Sequence, residues 1–200
     1  MSSIKLTADS GGGTFEIKAP SSSGNTRVLT LPDTGNITVP DTNGITVVDN
    51  WYINSSISVS SGTMTLTANW ERGTSAQFGS IGSAMTESSG IFTFPSTGIY
   101  YIAIEGGFFR TGSNAHNYVG FTLYATTDNS SYSGRSVSYQ ALPAQSGYTY
   151  STTGCYTLFD VTNVSTHKVK FRTESDGSGT SAVDIGGRRF NAVFIRLGDT

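Results

Sequence analysis

An all-β sandwich is the fold class this sequence predicts, and three observations carry that prediction. Turn formers are abundant: the 200 residues include 24 glycines, and Ser plus Thr fill roughly a quarter of the chain, well above ordinary usage. Aromatic residues reach 12%, whereas disordered chains of similar polarity are poor in them. Apolar residues fall in short alternating runs separated by Gly, Asn and Ser clusters, and no window shows the three-and-four spacing of an amphipathic helix. Thr suits the wet face of a pleated sheet and Gly supplies the positive φ of tight turns, so composition and pattern agree.

The chain divides into two regions, 1–50 and 51–200. In the first the apolar content is thin, with short runs at Ile4–Leu6, Phe15–Ala19, Arg27–Leu31 and Ile45–Val48 set between turn clusters. Hairpins of this size are marginal alone in water and need a covering layer. The region is therefore expected to be an extended N-terminal β arm that docks on another chain through Ile4, Leu6, Phe15, Ile17, Val28 and Leu31.

From Trp51 onward the apolar runs lengthen. Strands are expected at Ser56–Ser60, Met64–Ala68, Ile91–Phe94, Ile99–Phe109, Tyr118–Thr126, Arg135–Ala141, Gly154–Val161, Lys168–Glu174 and Arg189–Leu197. About nine short strands with turn signals between them make a sandwich or jelly roll. Trp51 and Trp70 are expected to anchor its core.

Two of these runs are apolar on both faces. Phe190, Ala192 and Phe194 alternate with Val193, Ile195 and Leu197, and Ile99, Tyr101 and Ala103 alternate with Tyr100, Ile102 and Ile104. An antiparallel strand of a monomeric sandwich normally shows one polar face to water. A second buried surface is expected, with Tyr100, Ile102, Ile104, Phe190, Val193, Phe194 and Ile195 forming the core and subunit interface.

Charge and cysteine content exclude several classes. The net charge is −2, and charged residues make up only 13% of the chain, so nothing attracts a nucleic-acid backbone. Cys155 is the only cysteine, which rules out an intrachain disulfide. The opening Met-Ser-Ser-Ile-Lys holds no apolar run of the kind a signal peptide or membrane span requires, and synthesis in a cytosol without membrane insertion is expected.

The stretch Ser89-Gly-Ile-Phe-Thr-Phe-Pro-Ser-Thr-Gly-Ile-Tyr-Tyr-Ile-Ala-Ile resembles the heart of the C1q and tumour-necrosis-factor-like jelly roll. The ending Arg189-Phe-Asn-Ala-Val-Phe-Ile-Arg-Leu resembles that family's last strand, which lies beside a three-fold axis. The resemblance implies a C1q/TNF-like jelly roll over residues 51–200 that assembles as a homotrimer. No collagen-like Gly-X-Y stem precedes it. The opening Ile4-Lys-Leu-Thr-Ala-Asp-Ser-Gly-Gly-Gly-Thr-Phe-Glu-Ile-Lys-Ala-Pro, continuing through Thr26-Arg-Val-Leu-Thr-Leu-Pro-Asp-Thr-Gly-Asn-Ile, resembles virion proteins of marine tailed bacteriophages, including cyanophages. That resemblance implies an arm bound to other virion proteins, and a virion location after assembly in the bacterial cytoplasm.

Chemistry is sparse. His116 and His167 sit in no nucleophile or metal motif and are expected at the surface. Cys155 is expected to be a buried, inert thiol. Glu174 and Asp176 flank a glycine-rich stretch that reads as a turn rather than a calcium loop. No catalytic residue, metal ligand or cofactor is predicted. Tyr132, Tyr139, Tyr148 and Tyr150, set among Ser and Gly, are candidate contacts for a host-surface glycan, against a packing role between subunits. The expected function is that of a non-enzymatic accessory structural protein of a phage particle. A host-attaching fibre or knob and a capsid-decoration protein both fit. A soluble carbohydrate-binding module is the alternative, and a hydrolytic depolymerase would need paired acids that no motif supplies.

Overall fold

The computed structural model describes residues 3–7, 14–18, 44–59, 61–74, 79–111, 116–176, 183–185 and 189–200. The chain falls into two compact units, Met1–Asp41 and Thr42–Thr200. In the first, β1 (Ser3–Thr7) and β2 (Thr14–Lys18) pair antiparallel, with Ile4 opposite Ile17 and Leu6 opposite Phe15. The two-residue period of a strand places these four positions on one face of the ribbon. Val28 and Leu31 lie outside the described residues.

The second unit is a sandwich of two antiparallel sheets. Its strands are β3 (Val47–Ile53), β4 (Ile57–Val59), β5 (Gly62–Thr65), β6 (Trp70–Arg72), β7 (Thr86–Ser88), β8 (Ile91–Thr93), β9 (Gly98–Thr111), β10 (His116–Thr126), β11 (Ser133–Leu142), β12 (Tyr148–Val161), β13 (Lys168–Ser175), β14 (Val183–Ile185) and β15 (Phe190–Gly198). One sheet runs β11-β10-β13-β8-β7, with β5 also on β13; the other runs β4-β14-β9-β15-β3-β6, with β12 on the free side of β9. No helix among the described residues is long and apolar enough to cross a membrane.

Each of the nine strands expected after Trp51 has a counterpart, but the one expected at Met64–Ala68 runs Gly62–Thr65 and the one expected at Gly154–Val161 begins at Tyr148. β3 brings Val47–Asn50 into the sandwich as well, so the sandwich sheet begins ahead of the boundary at residue 50 that the sequence alone places. Its Asp49-Asn50 pair looks like turn chemistry. The Asp49 carboxylate is nevertheless fully buried, accepting bonds from Trp51 Nε1 at 2.9 Å, Arg72 Nε at 2.6 Å and the Met85 amide at 2.8 Å. A buried carboxylate persists when its lone pairs are satisfied in this way, and here it ties β3, β6 and the segment before β7 together.

The Ser89-Gly90 pair turns β7 into β8. Both residues have positive φ, 52° and 80°, as a tight hairpin turn requires. Gly98 opens β9 at φ 139°, where a Cβ would collide with the Arg196 guanidinium and the Gly198 carbonyl. The glycines of the jelly-roll-like motif thus sit where a side chain would not fit.

The core is an aromatic layer between the sheets. Phe92 lies at its centre, with ring centroids 5.4 Å from Trp51, 4.9 Å from Trp70, 5.4 Å from Phe171 and 5.2 Å from Phe194. Phe108 stacks on Phe121 at 4.5 Å, and Phe121 meets Phe190 edge-on at 4.9 Å. Both tryptophans are half-buried and pack on this layer from β3 and β6. Edge-to-face aromatic pairs add about 0.5–1.5 kcal/mol each beyond the area they bury. Phe92→Ala removes the shared partner of four rings, and denaturant unfolding of the variant should show a loss of about 3–5 kcal/mol, the usual range for a large core aromatic.

Candidate functional site

The seven-stranded sheet turns an apolar block outward. On β9 and β15, Tyr100, Ile102, Ile104, Phe190, Ala192 and Phe194 face the other sheet and are buried, while Tyr101, Ala103, Val193 and Ile195 face away and are half-buried. Register lines the outward residues up with those of β12. Val193, Ala103 and Tyr156 form one row, and Ile195, Tyr101 and Leu158 the next. Tyr101 and Tyr156 are 5.9 Å apart by ring centroid. On β12, Tyr156 is 67% and Leu158 62% exposed, unusual values for large apolar side chains on regular strand.

Further along the same face, Tyr148, Tyr150 and Phe109 form a stacked cluster, with Tyr150 5.9 Å from Phe109 and 6.1 Å from Tyr148. The Arg189 guanidinium lies 4.4 Å over the Phe109 ring, a cation–π contact that leaves its charge at the surface. Between the two aromatic groups runs an open concavity of about 510 Å³, floored by Ala103, Glu105, Thr152 and Gly154. Small residues at these positions let the face dip, and Glu105 is its one carboxylate.

Of the seven residues expected in the core and subunit interface, five belong to the chain's own core and only Val193 and Ile195 face outward. Period-two alternation finds two apolar faces but does not say which turns inward. The interface candidates that sequence reading missed are Tyr101, Tyr156 and Leu158. The four candidate ligand tyrosines separate: Tyr148 and Tyr150 stand on this sheet, whereas Tyr132 and Tyr139 stand at the outer face of the other.

Both histidines are buried, not at the surface as expected. His167 has partners at both ring nitrogens, Thr162 Oγ1 at 3.2 Å and Thr166 Oγ1 at 3.1 Å, and its ring packs 5.7 Å from Phe159. A satisfied imidazole is an ordinary core group, which a lone His in a polar stretch does not reveal. His116 lies 3.1 Å from Ser175 Oγ and 3.5 Å from Asp176 Oδ1. This Ser, His and Asp do not make a catalytic relay, because both partners address the same nitrogen, Nδ1, whereas nucleophile and carboxylate must take opposite nitrogens. Ser175 is also buried.

Cys155 is buried, with Sγ 3.7 Å from the Ser136 carbonyl and 3.8 Å from that of Phe121, and burial pushes its thiol above the ordinary value. A protonated thiol is a poor nucleophile. Among the described residues no three His, Cys, Asp or Glu side chains gather as metal ligands. Asp176 Oδ2 accepts the Asn117 amide at 2.8 Å, and Glu174 accepts Thr122 Oγ1 at 2.8 Å.

No protein-family model and no curated protein matches the sequence. Among solved structures the chain is similar to Eiger TNF from S. frugiperda, at 10% identity over 79% of this chain and 96% of that one, with a TM-score of 0.53. It is also similar to murine APRIL at pH 5.0, at 10% identity over 76% of this chain and 98% of that one, with a TM-score of 0.49. The first likeness shows the fold: an all-β two-sheet sandwich of the TNF jelly-roll kind.

Tyr139 provides a pH-dependent reporter of the six-stranded sheet. Its hydroxyl donates to the Glu174 carboxylate, which holds the proton on the phenol and pushes its pKa from 10.0 up to about 12. A folded-state pKa raised above the unfolded one stabilises the fold fully below about pH 10, and that contribution is lost as pH rises through about 12. Tyrosinate absorbance should therefore show a late titration step near pH 12 that Tyr139→Phe lacks.

Proposed function

We propose that this chain is a non-enzymatic accessory structural protein of a tailed-phage particle, working as a homotrimer in which the outward face of β9, β12 and β15 meets neighbouring copies. The observation that carries the assembly is the apolar block of Tyr101, Val193, Ile195, Tyr156 and Leu158. A contiguous apolar patch on regular sheet marks an interaction surface. Copies related by a three-fold axis cover it with a heterologous contact that closes on itself, which agrees with the resemblance of the last strand to the axial strand of C1q and TNF-like jelly rolls.

The virion location rests on the resemblance of the first 40 or so residues to openings of marine phage proteins. In this reading the β1–β2 ribbon presents Ile4, Leu6, Phe15 and Ile17 to other virion proteins, and the sandwich carries the exposed faces of a fibre knob or a capsid decoration. A monomeric carbohydrate-binding module, the alternative, has no use for the apolar block.

Leu158→Glu places a carboxylate in the middle of that block, where burial without a partner is costly. Light scattering should find the variant monomeric, with an unchanged β-sheet circular dichroism spectrum, because Leu158 takes no part in the chain's own core. An assembly unchanged by Leu158→Glu would refute this use of the face.

A further inference from the structure

The outer face of the six-stranded sheet has the opposite character. On the central strand β13, Lys168, Lys170 and Arg172 occupy alternate positions of the outward side, since Val169, Phe171 and Thr173 point into the core. Successive same-face positions on a strand are about 6.6–6.8 Å apart, so three cations form a row in the middle of a sheet. Among the described residues none of the three has a carboxylate partner. The nearby acids are used elsewhere. Glu174 accepts Thr122 Oγ1 and the Tyr139 hydroxyl, and Asp128 Oδ1 is held by Thr126 Oγ1 and the amides of Ser130 and Ser131. In keeping with an unneutralised row, burial and the neighbouring Arg172 charge pull the Lys170 ammonium below the ordinary lysine value.

Tyrosines frame the row. Lys170 Nζ lies 4.0 Å from the centroid of Tyr132, and the Arg172 guanidinium 4.8 Å from that of Tyr124. These rings orient the cations without neutralising them. Lys168 Nζ donates to Thr93 Oγ1 at 2.8 Å and the Val164 carbonyl at 3.2 Å. Beside the Glu174 end, Tyr118 of β10 and Tyr139 of β11 form an edge-on pair 5.1 Å apart, both exposed, with Val137 exposed two residues before Tyr139 on β11. The face thus offers aromatic rings, a carboxylate acceptor and a line of cations.

We propose that this face binds an acidic polysaccharide, a chain of pyranose rings bearing carboxylates. The carboxylates would meet Lys168, Lys170 and Arg172, whose guanidinium fork matches a planar two-oxygen anion. The sugar rings would lie on Tyr118 and Tyr139, with their hydroxyls donating to Glu174. A single-stranded nucleic acid also uses cations and aromatic rings. It fits less well, because Glu174 in line with the cations accepts hydrogen bonds, which sugar hydroxyls can donate and phosphodiester groups cannot. The proposal deepens the attachment reading above by naming the ligand class, and rests on it only in leaving this sheet uncovered.

The test is retention of the full-length protein, its mass measured in the same sample, on immobilised polygalacturonate, with dextran and oligo(dT) as competing probes. Wild type should be retained at low salt and released at high salt, and neither dextran nor oligo(dT) should compete. Lys170→Ala with Arg172→Ala should weaken retention about tenfold or more, as loss of charge-assisted contacts predicts. Arg189→Ala, on the other sheet, should change nothing. Absence of wild-type retention, equal retention of the double variant, equal loss in Arg189→Ala, or displacement by oligo(dT) would each overturn the proposal. A trimer that is not retained refutes the ligand alone; a monomer that is retained refutes the assembly alone.

Discussion

Strands have two faces, and in β9 and β15 both are apolar. The inner face builds the sandwich: Tyr100, Ile102, Ile104, Phe190 and Phe194 close against Phe92, Phe121 and Phe171 of the opposite sheet. Within the sandwich unit the opposite sheet is already spent on the inner face, so it cannot also cover the outer one. β12 extends the outer face to one side with Tyr156 and Leu158, more than half exposed. Most of what is proposed for the assembly follows from that leftover apolar surface, since water is an unfavourable cover for it.

The two outward faces divide the remaining chemistry. On the seven-stranded sheet the outward face carries an apolar block and an aromatic cluster, with Glu105 and Thr152 on the floor of a shallow concavity and Arg189 beside it. On the six-stranded sheet they are cations held over tyrosine rings and a carboxylate already bonded to Thr122 and Tyr139. One face is suited to packing against copies of itself and the other to charged, hydroxyl-rich partners. The proposed trimer would turn the first inward and leave the second on the outside of the assembly.

Much of the fold was legible because alternation is a strong signal in long strands. β9, β12, β13 and β15 all alternate cleanly in burial along most of their length, whereas β10 is buried on both faces from Val119 to Leu123 and shows as a continuous run. The strands that escaped are short or polar. β6 is Trp-Glu-Arg, β7 is Thr-Glu-Ser and β14 spans three residues, too few for a period to show. β3 was hidden by Asp49, whose buried carboxylate finds its three donors on β3 itself, on β6 and at Met85. The same limit misplaced the histidines, since the hydroxyls that satisfy His167 identify themselves only once the chain is folded. Tyr101, Tyr156 and Leu158 were missed as interface candidates because choosing the outward face needs the register between β9, β12 and β15, which is a tertiary fact.

The central claim is that copies of this chain cover the outer face of β9, β12 and β15. Sedimentation equilibrium of the unmodified full-length chain tests it most directly, because the chain mass of 21.1 kDa separates the alternatives widely. The account predicts a single species of three times that mass that persists on dilution, and a species of one chain mass at every concentration would contradict it.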